Sequence, residues 1–243
     1  MNLLSASTLL SVWERGLVQR PHELAIALLT AALPETAPDT LARAPVGKRD
    51  GWLLDLRERL FGSTLNCISS CPRCGECLEI AFHTSDIRQP AGSVYEDSYT
   101  HLVDGFLVEF RLPDSSDLEA IVSLADASQG RVVLIGRCFL HATRNDAEVS
   151  LSALPDQVVS AVIDRIGDLD PQADVNLALA CPSCGEQWPA VFDIVSFLWK
   201  EVGAWAAKTV REVHALASAY GWREADILAM SHARRQMYLK LVS

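Results

Sequence analysis

Two short motifs carry the residue types from which chemistry could be built: Cys71-Pro72-Arg73-Cys74-Gly75-Glu76 and Cys181-Pro182-Ser183-Cys184-Gly185-Glu186. Two residues between thiolates let a tight turn aim both sulfurs at one ion. Proline pre-sets φ at the second position of that turn. The glycine after the second cysteine permits the positive φ that points backbone amides at the sulfurs. Two such knuckles make a tetrahedral site of four thiolates, which leaves no open coordination position and so suits structure rather than catalysis. The expectation is one structural zinc ion per chain, held by Cys71, Cys74, Cys181 and Cys184.

Three other chemistries compete for these residues. A redox CxxC needs a single pair, and the duplication argues against it. Cys67, Cys71, Cys74 and Cys77 could suggest an iron–sulfur cluster, but position 81 is alanine where the usual fourth cysteine would stand. Relics of knuckles that have lost their metal are the third, against which all four sulfurs are present. Cys67, Cys77 and Cys138 lie in apolar or strand-like contexts and read as ordinary thiols. The six histidines are scattered, and His83, close after the first knuckle, is at most a reserve ligand. An odd total of seven cysteines speaks against a disulfide scaffold. No nucleophile elbow, phosphate-cradling glycine loop or HExxH motif occurs.

The elements that must position the knuckles can be read from periodicity. Residues 1–63 read as helical: Leu10, Trp13 and Leu17 recur at helical spacing, as do Leu24, Ala27, Leu28 and Ala31 after Pro21. Leu53, Leu56 and Leu60 mark a third helix that ends near Phe61-Gly62. Residues 64–84 and 174–190 read as the two halves of a zinc ribbon. Leu78, Ile80 and Phe82 alternate with Cys77, Glu79 and Ala81, and Val175, Leu177 and Leu179 alternate into the second knuckle. Between the halves, residues 85–173 are far longer than a loop should be. A strand over Phe106–Leu112 stops at Pro113, Ser116-Asp117-Leu118-Glu119 reads as a capping box opening a helix through Leu124, and a further helix runs from about Pro155 to Ile166. The segment is expected to be a mainly helical insertion with one or two strands. Over residues 191–243 a long amphipathic helix runs from about Phe192 to Tyr220. Its apolar face steps through Val195, Leu198, Val202, Ala206, Thr209, Val213, Leu216 and Tyr220. Two short helices follow Gly221. The fold class is thus α+β and mainly helical: a zinc-ribbon-like pair of knuckles with a large insertion, flanked by N- and C-terminal helices.

Composition narrows the function classes. A net charge of -10, with Lys48-Arg49 and Arg234-Arg235 as the only basic clusters, would repel a phosphate backbone. Nucleic acid is therefore a poor partner, although a nucleic-acid-binding zinc-ribbon regulator stands as the second reading. A thiol enzyme using Cys71 and Cys74 is a third. No stretch approaches the roughly 20 apolar residues that span a bilayer, and the start of the chain lacks a basic region typical of a signal peptide. A cytoplasmic protein with no membrane association is expected.

The C-terminal region resembles a known family. Its residues are Val213-His214-Ala215-Leu216-Ala217-Ser218-Ala219-Tyr220-Gly221-Trp222-Arg223-Glu224-Ala225-Asp226-Ile227-Leu228, then Arg234-Arg235 and Tyr238-Leu239. The segment Pro45-Val46-Gly47-Lys48-Arg49-Asp50-Gly51-Trp52-Leu53-Leu54, continuing to Leu60-Phe61-Gly62, carries the same resemblance. Both are similar to the T-even-type phage baseplate hub assembly proteins and their relatives encoded with phage-like contractile injection systems. The resemblance implies a non-enzymatic role in building or completing a baseplate hub, as a transient chaperone or as a part retained in the particle. It implies hub or tail proteins as partners. Aromatic residues concentrate in interface hot spots, so Trp205, Trp222, Arg234, Arg235 and Tyr238 are the candidate partner contacts. Trp205 stands out because it falls off the main apolar stripe of its helix.

Overall fold

A computed structural model of the chain describes Met1 and residues 4–89, 95–124 and 126–242. Asn2 and Leu3 of the N-terminal reading, and residues 90–94 and 125 of the insertion, lie outside the described residues. In chain order the first elements are α1 (Ala6–Gly16), α2 (Pro21–Ala32), α3 (Pro38–Ala42), α4 (Val46–Phe61), β1 (Thr64–Ser70) and β2 (Cys77–His83). Next come α5 (Thr84–Ile87), β3 (Tyr99–Val103), β4 (Phe106–Phe110), α6 (Ser115–Val122), α7 (Ala127–Cys138), β5 (Phe139–Arg144) and β6 (Ala147–Glu148). They are followed by α8 (Asp156–Leu169), β7 (Asn176–Ala180), β8 (Gln187–Val191), α9 (Ile194–Tyr220), α10 (Glu224–Ala229) and α11 (His232–Val242). The fold is mainly helical with a central sheet insertion. It divides into two compact units, Met1–Ala37 with Asp193–Ser243, and Pro38–Phe192.

The first unit is helical throughout. The 27-residue α9 opens where the Asp193 carboxylate accepts the Val195 and Ser196 amides, and it stops at Gly221, whose φ of 67° closes the last turn. Its buried stripe is Ile194, Val195, Leu198, Val202, Ala206, Thr209, Glu212 and Leu216. α1, α2 and α10 pack on α9, and their buried apolar residues include Leu9, Leu10 and Val12 of α1, Leu24, Leu28 and Leu29 of α2, and Ile227 of α10. Glu212 stands in this stripe where the periodicity favoured Val213. It can be buried because Arg235 Nε lies 3.3 Å from its carboxylate and Gln236 Nε2 donates to it at 2.6 Å.

The second unit holds the knuckles and the insertion. β3, β4, β5 and β6 form one antiparallel sheet in that order. Phe106, Val108 and Phe110 of β4 point inward with Ala142 of β5, packing against Ile135 of α7 and Val158 and Val162 of α8. The insertion carries four strands where one or two are expected: β5 lies between β4 and β6 but is half polar, and β6 is an edge strand of two residues, so neither shows a clear alternation in sequence. α6 begins two residues earlier than the capping-box reading. Asp114 is the cap, accepting the Ser116 and Asp117 amides, and Asp117 reaches back to the Asp114 amide at 2.9 Å. The insertion is stitched to the start of α4 through the Val46 amide, which donates to Pro113 O at 2.9 Å, and through Arg49 Nη1, which donates to Ser115 Oγ at 3.1 Å.

A second tie holds the same helix end. The Gly47 amide donates to Asp170 Oδ2 at 2.8 Å and the Tyr95 hydroxyl donates to Oδ1 at 3.0 Å. Asp170 is buried, and its desolvation raises the carboxyl pKa even though these two donors and Arg49 act to lower it. A Cβ at position 47 would lie 1.9 Å from Asp170 Oδ1 and 2.9 Å from the Ala173 amide nitrogen, so only glycine fits. Gly47→Ala is expected to cost about 2 kcal/mol, read as a lower urea midpoint. Gly51→Ala, one turn along the same helix with open space around its Cβ, is expected to be neutral or slightly stabilising.

The two knuckle hairpins are copies in structure as well as motif. Moving 110 positions along the chain carries Pro45 to Pro155, each the residue before a helix, and Asn66 to Asn176. It carries all four cysteine positions onto each other, Phe82 onto Phe192, and the first residue of α5, Thr84, onto the first residue of α9, Ile194. Each copy thus runs helix, hairpin, helix. Within the second unit Phe82 and Phe192 meet edge to face, with ring centroids 5.6 Å apart.

Candidate metal centre

Each knuckle is a turn built by its own backbone. The Cys71 amide donates to Glu76 O at 2.8 Å and the Gly75 amide to Cys71 O at 3.0 Å; the Cys181 and Gly185 amides repeat this at 2.8 and 2.9 Å. Gly75 and Gly185 have φ of 75° and 74°, the left-handed conformation that the motif requires of them. The turns bring Cys71 Sγ within 3.7 Å of Cys184 Sγ and Cys74 Sγ within 3.6 Å of Cys181 Sγ. All four sulfurs lie within 4.8 Å of one another. An ion with four sulfurs at about 2.3 Å in a tetrahedron sets them about 3.8 Å apart. The cluster has the size and donor set to hold such a metal ion.

The electrostatics of the cluster point the same way. Desolvation opposes ionisation of Cys71, but the Cys74 and Arg73 amides and the Cys184 and Cys74 thiols outweigh it and lower its pKa to about 7. At Cys184 the Glu186 amide favours the thiolate, yet desolvation and the sulfurs of Cys74, Cys181 and Cys71 push the pKa up to about 12. Cys74 is raised in the same direction, although its leading influence, the Glu76 amide, lowers it. The Cys71 thiolate is stabilised, while neighbouring sulfurs oppose ionisation of Cys74 and Cys184; a divalent cation removes that conflict. Cys71 and Cys181 are buried and Cys74 is exposed, so the cluster is closed on one side and shallow on the other.

The remaining candidates are dispersed. Cys67, Cys77 and Cys138 stand outside the cluster, and burial pushes the Cys138 thiol up to about 12. His83 is exposed at the start of α5. In the helical unit, Trp222 stacks on Tyr220 at 4.4 Å, Tyr238 meets Trp222 edge-on at 4.8 Å, and the Arg234 guanidinium lies 5.7 Å from the Tyr238 ring. Trp205 is half-buried against Leu10, Ala206 and Leu228, apart from that cluster. Arg235 is turned inward with 3% exposure, bound to Glu212 and donating to Met230 O at 2.7 Å, so Arg234 alone of the pair is presented to solvent.

Of the acidic residues that organise the second unit, sequence reasoning placed Asp117 only within a capping box, not in its pairing with Arg111 and Arg137, and did not find Asp170. A signal for Asp170 exists: an aspartate before Pro171 closes α8, between the helix and the hairpin of the second copy.

The family model described as T4 bacteriophage base plate protein matches residues 22–199. The chain belongs to that family. The match takes in α2, α4, both knuckles and the whole insertion of this base plate family member, and ends in the first turns of α9. The aromatic cluster of Tyr220, Trp222 and Tyr238 lies beyond the matched span. No curated protein and no solved structure matches the chain significantly. Among the described residues no helix is long and apolar enough to cross a membrane.

Proposed function

We propose that this chain is a non-enzymatic assembly factor or structural component of the baseplate hub of a contractile phage tail or injection system, clasped by one structural zinc ion. The observation that carries the reading is a base plate family match spanning a cluster of four cysteines. Four thiolates favour zinc among the common divalent ions and leave it no position for substrate. The ion ties together two hairpins separated by more than a hundred residues, so its work is to fix the fold that presents helical and sheet surfaces to hub or tail proteins. The protein acts in the cytoplasm, where such particles are built. Trp205, Trp222, Arg234 and Tyr238 are the side chains proposed to meet those proteins on the helical unit.

Deleting the gene in a host that makes the particle is expected to abolish assembled contractile tails in electron micrographs, with restoration by the gene supplied in trans. Normal particles in its absence would refute the role. Probing purified particles for the protein separates a retained component, found in each particle, from a chaperone that has left.

A further inference from the structure

The two knuckle hairpins differ in how their outer edges are protected. At the two ends of the β7–β8 ladder the Phe192 amide donates to Val175 O and the Cys181 amide to Glu186 O, each at 2.8 Å, so the intervening register leaves the N–H and C=O of Asn176, Ala178 and Ala180 pointing away from β8. β8 faces outward at the corresponding position with Pro189, which has no N–H to offer another strand. In the first copy Glu79 occupies the position equivalent to Pro189 and guards the edge of β2 with charge. β7 has neither device. Its sequence, Asn-Leu-Ala-Leu-Ala, carries no charge and no proline, and among the described residues the sheet has no third strand.

That open edge borders a cleft of about 540 Å³. Successive side chains of a strand point to opposite faces. Five consecutive residues, Val175 to Leu179, line this cleft, so it runs along the strand's edge and not across one face. Ile80, Phe82 and Ile87 form its apolar floor. In the first copy the residue equivalent to Val175 is Leu65, which is fully buried, whereas Val175 is only half-covered. Asp86 and Asp174 stand on the rim, exposed, and neither has a cationic side chain within ion-pair distance among the described residues.

We propose that the edge of β7 accepts an extended strand from a partner protein, whose alternate small apolar side chains enter the cleft over Ile80 and Phe82 and whose basic flank meets Asp86 and Asp174. Backbone hydrogen bonds to Asn176, Ala178 and Ala180 supply affinity, and the cleft supplies selectivity. A second copy of this chain is a poorer occupant, because pairing two β7 edges would bring Asp174 and Asp86 of both copies together without a counter-charge. In taking the partner to be a hub or tail protein, the proposal rests on the assembly reading above.

Short synthetic peptides tiled across the hub and tail proteins encoded beside this chain, presented to the intact metal-loaded protein, provide the test. At least one tile with alternating apolar residues and a basic flank is expected to bind. Its affinity should fall about tenfold or more with Ala178→Pro, which removes an outward N–H and leaves the β7–β8 ladder intact. The same loss is expected when alternate amides of the peptide are N-methylated, a change that leaves the protein untouched. Ala81→Pro on the edge of β2 should bind as the parent does. Failure of every tile to exceed its scrambled control, or binding indifferent to both changes, overturns the proposal. A dimer of the unmodified protein in sedimentation that Ala178→Pro dissolves would also overturn it, in favour of self-pairing. Normal particles from a gene deletion would remove the assembly reading and leave the peptide result standing.

Discussion

Cys181→Ser is expected to strip the protein of the zinc proposed for its cysteine cluster and to unfold the second unit at temperatures where the parent is stable. Cys181 is one of the two buried sulfurs, and its Sγ sits 3.6 Å from that of Cys74 in the other knuckle. A serine hydroxyl is a far weaker ligand for zinc than a thiolate, and three sulfurs cannot close the tetrahedron. Structural zinc sites supply about 10–16 kcal/mol of apparent binding free energy, while a whole domain is stable by only about 5–15 kcal/mol. Losing even a third of the first figure consumes much of the second. Elemental analysis should read one zinc per chain in the parent and none in the variant, with a large drop in melting temperature by circular dichroism. Cys77→Ser, three residues beyond Cys74 but outside the cluster, should keep both its zinc and its melting temperature. A Cys181→Ser protein that melts with the parent would show that the cluster does not clasp the fold. Acid should act like the mutation, since protons compete with the metal for thiolates.

The cysteine cluster is the part of this site that sequence made plain, and the reason is local. Each knuckle is specified within six residues, and the alternation of Leu78, Ile80 and Phe82 announces the strand that follows. The stripe of α9 and its stop at Gly221 are legible for the same reason, since helical periodicity and a left-handed glycine act over one or two turns. What stayed hidden depends on partners distant in the chain. Gly47 is an unremarkable helix glycine until Asp170 arrives above it, and Arg235 reads as a surface charge until Glu212 is found beneath it. The repeat of helix, hairpin and helix is masked because few residues outside the knuckles match across the 110-residue shift. Its two first helices share a leading proline and little else, since α4 packs beside the insertion's corner while α8 covers the four-stranded sheet.

Asp117→Ala is expected to cost about 3 kcal/mol, the low end of what breaking a buried ion pair costs. The Asp117 carboxylate has no solvent exposure and takes four hydrogen bonds: Arg111 Nη1 at 2.6 Å, Arg111 Nη2 at 2.9 Å, Arg137 Nε at 2.7 Å and the Asp114 amide at 2.9 Å. Removing it leaves two arginines facing each other across a hole. The cost stays at the low end because their side chains are 27% and 41% exposed and can turn toward water. Desolvation raises the Asp117 pKa, but the Arg111 hydrogen bonds, the Asp114 amide and Arg137 outweigh it and hold the carboxyl below its ordinary value. A depressed folded-state pKa means that this stabilisation is complete above the unfolded value, near 3.8, and is lost as pH falls through the folded one. The parent should therefore lose stability on acidification in that window, while Asp117→Ala, which lacks the contribution at every pH, should show a flatter acid limb in urea unfolding. Parallel acid limbs in the two proteins would mean that the pair of arginines is held by something other than this carboxylate. Because Asp117 anchors the corner where Pro113 and Ser115 bind the start of α4, the same variant should loosen the seam between the insertion and that helix, read as faster amide exchange at Val46 and Gly47. If the cysteine cluster alone held that seam, exchange at those two amides would be the same in Asp117→Ala as in the parent, so the comparison isolates what the buried carboxylate holds.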